Sequence, residues 1–116
     1  MNNKEIKVTV ELDEKKIPSN IIWEATDSNS NEPLSCKAMI MAMWDHQMNN
    51  SLRLDLWTKD MPISDMKRFY FETLMTMADS FERATGETQI CNEMRGFAHS
   101  IGEKMEILKN EEGKQS

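Results

Sequence analysis

This 116-residue chain has only two histidines and two cysteines, and their spacing limits the chemistry open to them. Asp45-His46 has the composition of a general base beside its orienting acid. Adjacent residues of a strand point to opposite faces, so this order does not by itself bring the two groups onto one reacting atom. Cys91 and His99 fall in a segment of helical period, where a separation of eight residues is ~12 Å of rise. One metal ion cannot be shared over that distance without ligands from other elements. The four glycines, Gly86, Gly96, Gly102 and Gly113, fall in helical segments, at a helix end or in the tail. No glycine-rich loop therefore follows a strand to hold a phosphate. These spacings predict no catalytic residue, no cofactor and no metal site, and a hydrolase or isomerase built on Asp45, His46 or Asp55 has no derivable acid-base geometry. The expectation is a protein that is not an enzyme.

The elements that must position these groups change character once, near Pro62. Before it, Ile6, Val8, Val10 and Leu12 alternate with Lys7, Thr9 and Glu11, the period-2 pattern of a half-buried strand with one wet face. Asp13 to Asn20 reads as a turn, Ile21 to Ala25 as a second strand and Thr26 to Ser35 as an exposed loop. Cys36 to His46 carries helix-favouring Met and Ala, but its length and its link to Leu52 favour a third strand, and Leu52 to Thr58 supplies a fourth. After Pro62 the period is helical. Ser64 is the expected N-cap with Asp65 in the first turn, and Met66, Phe69, Tyr70, Thr73, Leu74, Met77 and Phe81 form an apolar stripe that Gly86 stops. A second helix, from about Thr88 to Leu108, places Ile90, Met94, Phe97, Ile101, Met105 and Leu108 on one side. Close approach of another backbone is one reason for Gly96 and Gly102 to be tolerated there. Residues 109–116 are expected to fray.

Composition bounds the rest. With 39% hydrophobic and 29% charged residues, the chain fits one domain over residues 1–116, with strands within 4–58 and helices at about 64–85 and 88–108. A net charge of -6 opposes a phosphate backbone, so no nucleic acid is expected as a partner. The longest apolar run, Ala38 to Trp44, falls far short of the ~20 residues that cross a bilayer, and Met1 to Lys16 lacks the apolar region of a secretory signal. These features predict a cytoplasmic protein without a membrane span, in which Cys36 and Cys91 are reduced and buried. Most of the eleven methionines fall on predicted inner faces; an adaptable surface for a partner or an unfolded client requires them to be exposed instead.

A sharper expectation comes from the hairpin between strands 3 and 4. A loop with an even number of residues, Asn49-Asn50 or Gln47 to Asn50, pairs odd positions of one strand with even positions of the other. One face then carries Met39, Met41 and Met43 beside Leu52, Leu54 and Leu56, a broad apolar surface expected to be the core face. The other carries Ala38, Ile40, Ala42 and Trp44 beside Arg53, Asp55 and Trp57. Ile40, Trp44, Trp57, Arg53 and Asp55 are accordingly the candidate interaction patch, for self-association as a homodimer or for another protein.

The wording of Leu52-Arg53-Leu54-Asp55-Leu56-Trp57-Thr58-Lys59-Asp60-Met61-Pro62, read with Met66-Lys67 and Met77-Ala78-Asp79-Ser80-Phe81-Glu82-Arg83-Ala84-Thr85, resembles the gliding motility protein GldC family of Bacteroidota. The likeness extends less tightly to Ile17-Pro18, Ile22 to Glu24 and Trp44-Asp45, and so covers most of the chain from strand 1 to helix 2. It implies a role in gliding motility and in the linked protein-secretion apparatus, with proteins of those assemblies as partners, and brings no catalytic residue with it. The expected fold is α+β, a four-stranded antiparallel sheet followed by two antiparallel helices packed on one face. The same element order is that of the export chaperone SecB, which by analogy of fold alone suggests a small chaperone or export adaptor as the alternative.

Overall fold

The period-2 segments become five strands, β1 (Ile6–Leu12), β2 (Pro18–Ala25), β3 (Leu34–Cys36), β4 (Ala38–Asp45) and β5 (Asn50–Trp57), and the helical stripes become α1 (Ile63–Thr85) and α2 (Thr88–Lys104). The computed structural model describes residues 3–26 and 32–107. Contacts divide the chain into two units, Met1–Met61 and Pro62–Ser116, at the step where the sequence period changes.

In the β unit the expected single four-stranded sheet is replaced by two antiparallel sheets, a three-stranded one in the order β1-β2-β3 and the two-stranded β4-β5. The cause lies at Lys37, between β3 and β4. Its carbonyl accepts a bond from the Thr58 backbone N–H at 2.8 Å and another from the Thr58 hydroxyl at 3.2 Å. The strand that sequence places at Cys36 to His46 is thereby broken into a short piece paired with β2 and a long piece paired with β5. Leu34 and Ser35, expected in a loop, belong to the short piece; residues 27–31 of that loop lie outside the described residues. Thr58 itself is only 1% exposed, a buried polar residue whose hydroxyl is satisfied by this carbonyl.

The β1-β2 turn is shorter than expected, because β2 starts at Pro18 and not at Ile21. Proline suits a first strand position, where no ladder donor is needed. Asp13 closes the turn: one carboxylate oxygen accepts the Lys15 and Ile17 N–H groups at 2.8 and 2.9 Å, while Lys16 takes a left-handed φ of 64°. The other oxygen meets Lys59 Nζ at 2.9 Å, and the Lys59 N–H donates to the Pro18 carbonyl at 3.1 Å. The apolar side of the sheet brings Val10, Ile21 and Cys36 into register, and Ile21 is fully buried.

In the helical unit α1 begins one residue before Ser64. Pro62, extended at φ -67° and ψ 148°, occupies the N-cap position, and its carbonyl accepts the Met66 N–H at 3.0 Å. Ser64 is therefore not the cap, and Asp65 lies in the first turn as expected. Gly86 ends α1 in the left-handed conformation at φ 74°. α2 ends at Lys104, earlier than the expected Leu108, which lies outside the described residues. Its terminus is a Schellman turn: the Ile107 N–H reaches the Gly102 carbonyl, the Glu106 N–H reaches the Glu103 carbonyl, and Glu106 holds a φ of 68°. Glutamate stands where glycine would mark the stop, so sequence carries no signal for it.

The contact face of α2 is also rotated from the expected one. Cys91, Ala98 and Gly102 are its buried residues, and Ala78 is the buried residue of α1, so the two helices meet through small side chains. Ile90 and Phe97, placed by sequence in the seam, are 43% and 60% exposed. The apolar stripe of α2 is wider than its contact face, and residue size decides which part lies inside.

Two substitutions test this description. Thr58→Val keeps the shape but removes the hydroxyl bond to Lys37, and is expected to lower stability by about 1 kcal/mol in urea denaturation; unchanged stability would mean the bond contributes nothing. Gly96 is exposed, and among the described residues outside its own helix turn nothing lies within 4 Å of where a Cβ would stand. Gly96→Ala is expected to raise stability by about 0.5–1 kcal/mol through helix propensity.

Candidate interaction surface

The β4-β5 register pairs Ala38 with Trp57, Ile40 with Asp55, Ala42 with Arg53, Trp44 with Ser51 and Asp45 with Asn50. The loop is thus His46 to Asn49, even in length but displaced from both expected positions, with Asn49 at φ 55°. Parity is what assigns the faces, and it is preserved. Directly opposed residues share a face, so Ile40, Trp44, Arg53, Asp55 and Trp57 lie on one side of the hairpin.

Trp44 is 64% exposed and Trp57 52% exposed, while Ile40 is half-buried. The tryptophans do not touch. Trp57 sits opposite Ala38 and Trp44 lies six positions further along β4, a separation of ~20 Å along the strand. Between them the Arg53 guanidinium bonds both Asp55 carboxylate oxygens at 3.2 and 3.3 Å. The ion pair thus lies between the two tryptophans along this face. The opposite face carries the pairs Met39 with Leu56, Met41 with Leu54 and Met43 with Leu52. On it Met43, Leu52 and Leu54 are each about half exposed at 52%, 48% and 47%.

The other chemistry-bearing residues are not brought together. Asp45 turns its carboxylate into the hairpin loop, where it accepts the Gln47 N–H at 3.0 Å, and His46 is exposed beside it. Cys91 is buried in the helix pair, whereas His99 is exposed. Both cysteines are free thiols, Cys91 fully buried and Cys36 half-buried, and burial pushes each above the usual thiol range. Among the described residues no three His, Cys, Asp or Glu side chains cluster in a way that could hold a metal ion.

The family model for gliding motility-associated GldC-like proteins matches residues 18–107. The chain belongs to the GldC-like family. The match runs from the start of β2 to the Schellman turn after α2, so it includes the hairpin and both helices and begins after β1. No curated protein and no solved structure is detectably similar to the chain. Among the described residues, no helix of this GldC-like chain is long and apolar enough to cross a membrane.

Two features of this family member were not visible in its sequence. The first is an apolar hollow of about 310 Å³ on the helix pair, lined by Leu74, Ile90, Glu93, Met94 and Phe97. The misplaced seam residues Ile90 and Phe97 border it. The second is an ion cluster between the helices: Arg95 of α2 bonds Asp79 at 2.9 Å and Glu82 at 2.7 Å on α1, and Asn92 at 3.1 Å on its own helix. Pairing of residues so distant in sequence has no local signature.

These contacts make stability pH-dependent. The Arg95 guanidinium holds the Glu82 carboxyl below its usual range, with the Thr88 hydroxyl assisting. The Ile17 N–H and then Lys59 lower Asp13, and Lys37 lowers Asp60. A carboxylate whose folded pKa lies below its unfolded value contributes stability that is complete above the unfolded pKa of about 4, and is lost as pH falls through the folded value. The melting temperature is therefore expected to fall between about pH 5 and pH 3. Glu82→Gln should show a shallower fall over the same interval, and identical slopes for the two proteins would exclude the Arg95 cluster as a contributor.

Proposed function

We propose that this GldC-like protein is a non-enzymatic, cytoplasmic accessory protein of gliding motility, which works by docking a folded component of the gliding apparatus or of the linked secretion machinery. Family membership supports the process. The docking surface is the face of β4-β5 that carries Trp44, Ile40 and Trp57 around the Arg53–Asp55 pair. The observation behind this assignment is the exposure of two tryptophans, at 64% and 52%, on one flat side whose intervening residues include the small Ala38 and Ala42. Exposed tryptophan and arginine are the residue types that dominate binding energy when a partner desolvates them. The net charge of -6 supports a protein partner over a nucleic acid.

A second reading is favoured by the opposite face. Half-exposed Met43, Leu52 and Leu54, with Met48 at 70% exposure in the loop, form the kind of flexible apolar surface that accommodates varied clients. On that reading the protein is a small chaperone or export adaptor that binds extended segments.

The double variant Trp44→Ser, Trp57→Ser separates the two. It is expected to unfold cooperatively with stability within about 1 kcal/mol of the parent, because both side chains are largely solvated. Co-purification from the native gliding cell, followed by mass spectrometry, should then lose one specific partner that the parent retains. Capture of the same proteins by parent and variant, together with binding of unfolded polypeptide weakened by Met43→Ser and Leu54→Ser, would move the assignment to the client-binding reading.

A further inference from the structure

We propose that β1 is a self-pairing edge, through which two copies of this chain join their three-stranded sheets antiparallel across a two-fold axis. β1 is the outer strand of the order β1-β2-β3, and among the described residues no strand pairs with its other side. An open edge is a template for another strand, and β1 leaves Ile6 and Leu12, at its two ends, 74% and 54% exposed. The strand precedes the residues matched to the family.

What names the occupant is the order of side chains. Ile6-Lys7-Val8-Thr9-Val10-Glu11-Leu12 is symmetric in chemistry about Thr9, with one difference, that Lys7 on one side is answered by Glu11 on the other. A two-fold axis at Thr9 sets Lys7 opposite Glu11 of the second copy and Glu11 opposite its Lys7. Val8 then faces Val10 and Ile6 faces Leu12. Every cross-strand pair is matched in charge or apolarity, which is the self-complementarity that a two-fold interface requires. Glu11 accepts the Asn20 amide at 3.1 Å through one carboxylate oxygen, and a carboxylate can accept a second donor such as the incoming lysine at its other oxygen.

The backbone agrees with this register. The Glu5 carbonyl accepts the Thr26 N–H at 3.1 Å, and the Glu5 N–H donates to the Thr26 hydroxyl at 3.2 Å, so the bonding groups of residue 5 point toward β2. Direction alternates along an antiparallel strand. Lys7, Thr9 and Glu11 therefore bond inward, and Ile6, Val8 and Val10 present N–H and C=O at the open edge. Pairing about Thr9 matches Val8 with Val10, two outward residues that can exchange bonds. A slip of one residue sets outward groups against inward ones and charged side chains against valines. Moving the axis to Val8 opposes Glu5 to Glu11, and moving it to Val10 leaves Ile6 uncovered. The favoured arrangement joins the two sheets of three strands into one continuous antiparallel sheet.

Sedimentation equilibrium of the full chain is expected to give twice the 13.5 kDa monomer mass. Lys7→Glu creates two like-charge pairs across the axis, besides one with Glu24 of β2 inside each copy that circular dichroism and melting of the variant will report, and should raise the dissociation constant about tenfold or more. Adding Glu11→Lys reverses both charges together and should restore dimerisation to within about threefold of the parent. Val8→Pro removes an outward N–H while leaving the inward ladder to β2, and should yield a monomer with unchanged far-ultraviolet circular dichroism. If Val8→Pro fails to fold, the charge-reversal pair decides alone. A parent that stays monomeric at ~100 μM, or a dimer indifferent to Lys7→Glu, overturns the proposal. The Trp44→Ser, Trp57→Ser variant should remain dimeric; a dimer lost there but kept in Lys7→Glu assigns self-association to the tryptophan face and overturns the β1 edge, while partner binding is read separately.

Discussion

Thr58 holds the Lys37 carbonyl with its N–H at 2.8 Å and its hydroxyl at 3.2 Å, and the arrangement of the β unit follows from those two bonds. Without them β3 and β4 would read as one strand. With them the chain bends at Lys37, β2 pairs before the bend and β5 after it. Neighbouring contacts converge on the same place. The Lys59 N–H binds the Pro18 carbonyl, Lys59 Nζ binds Asp13 and Lys37 Nζ binds Asp60 at 2.6 Å. The exposed ion pairs add little individually. The buried hydroxyl carries more weight, because an unpaired polar group in its place would cost about 1–3 kcal/mol.

The helical unit depends on a different device. Ala78, Cys91, Ala98 and Gly102 let the two helices approach, and Arg95 fixes their register by holding Asp79 and Glu82 at once. Small residues supply proximity but little orientation, whereas a guanidinium with two acidic partners supplies direction. The larger apolar residues of α2, Ile90 and Phe97, border a hollow instead of filling the seam.

The hairpin β4-β5 has one face of Met and Leu and one that carries two tryptophans. Three acids of the β unit of this GldC-like protein are held in structural pairs: Asp45 in its loop, Asp55 with Arg53, Asp13 in its turn.

Sequence alone determined what depends on local periodicity. Alternation in β1 and in β4-β5, the helical stripes after Pro62, the stop at Gly86 and the composition of both hairpin faces were legible, because side-chain direction follows from a period of 2 or 3.6 once parity is known. The family was legible for a related reason, since its wording lies in contiguous segments. Tertiary structure alone decided the rest. The break at Lys37 depends on Thr58, twenty-one positions away; the end of α2 depends on a glutamate accepting a left-handed φ of 68°; and the face of α2 that is buried depends on where its small residues meet Ala78 of α1. Each is set by a partner distant in sequence or by backbone geometry that the residue type does not announce, and no periodic pattern records either.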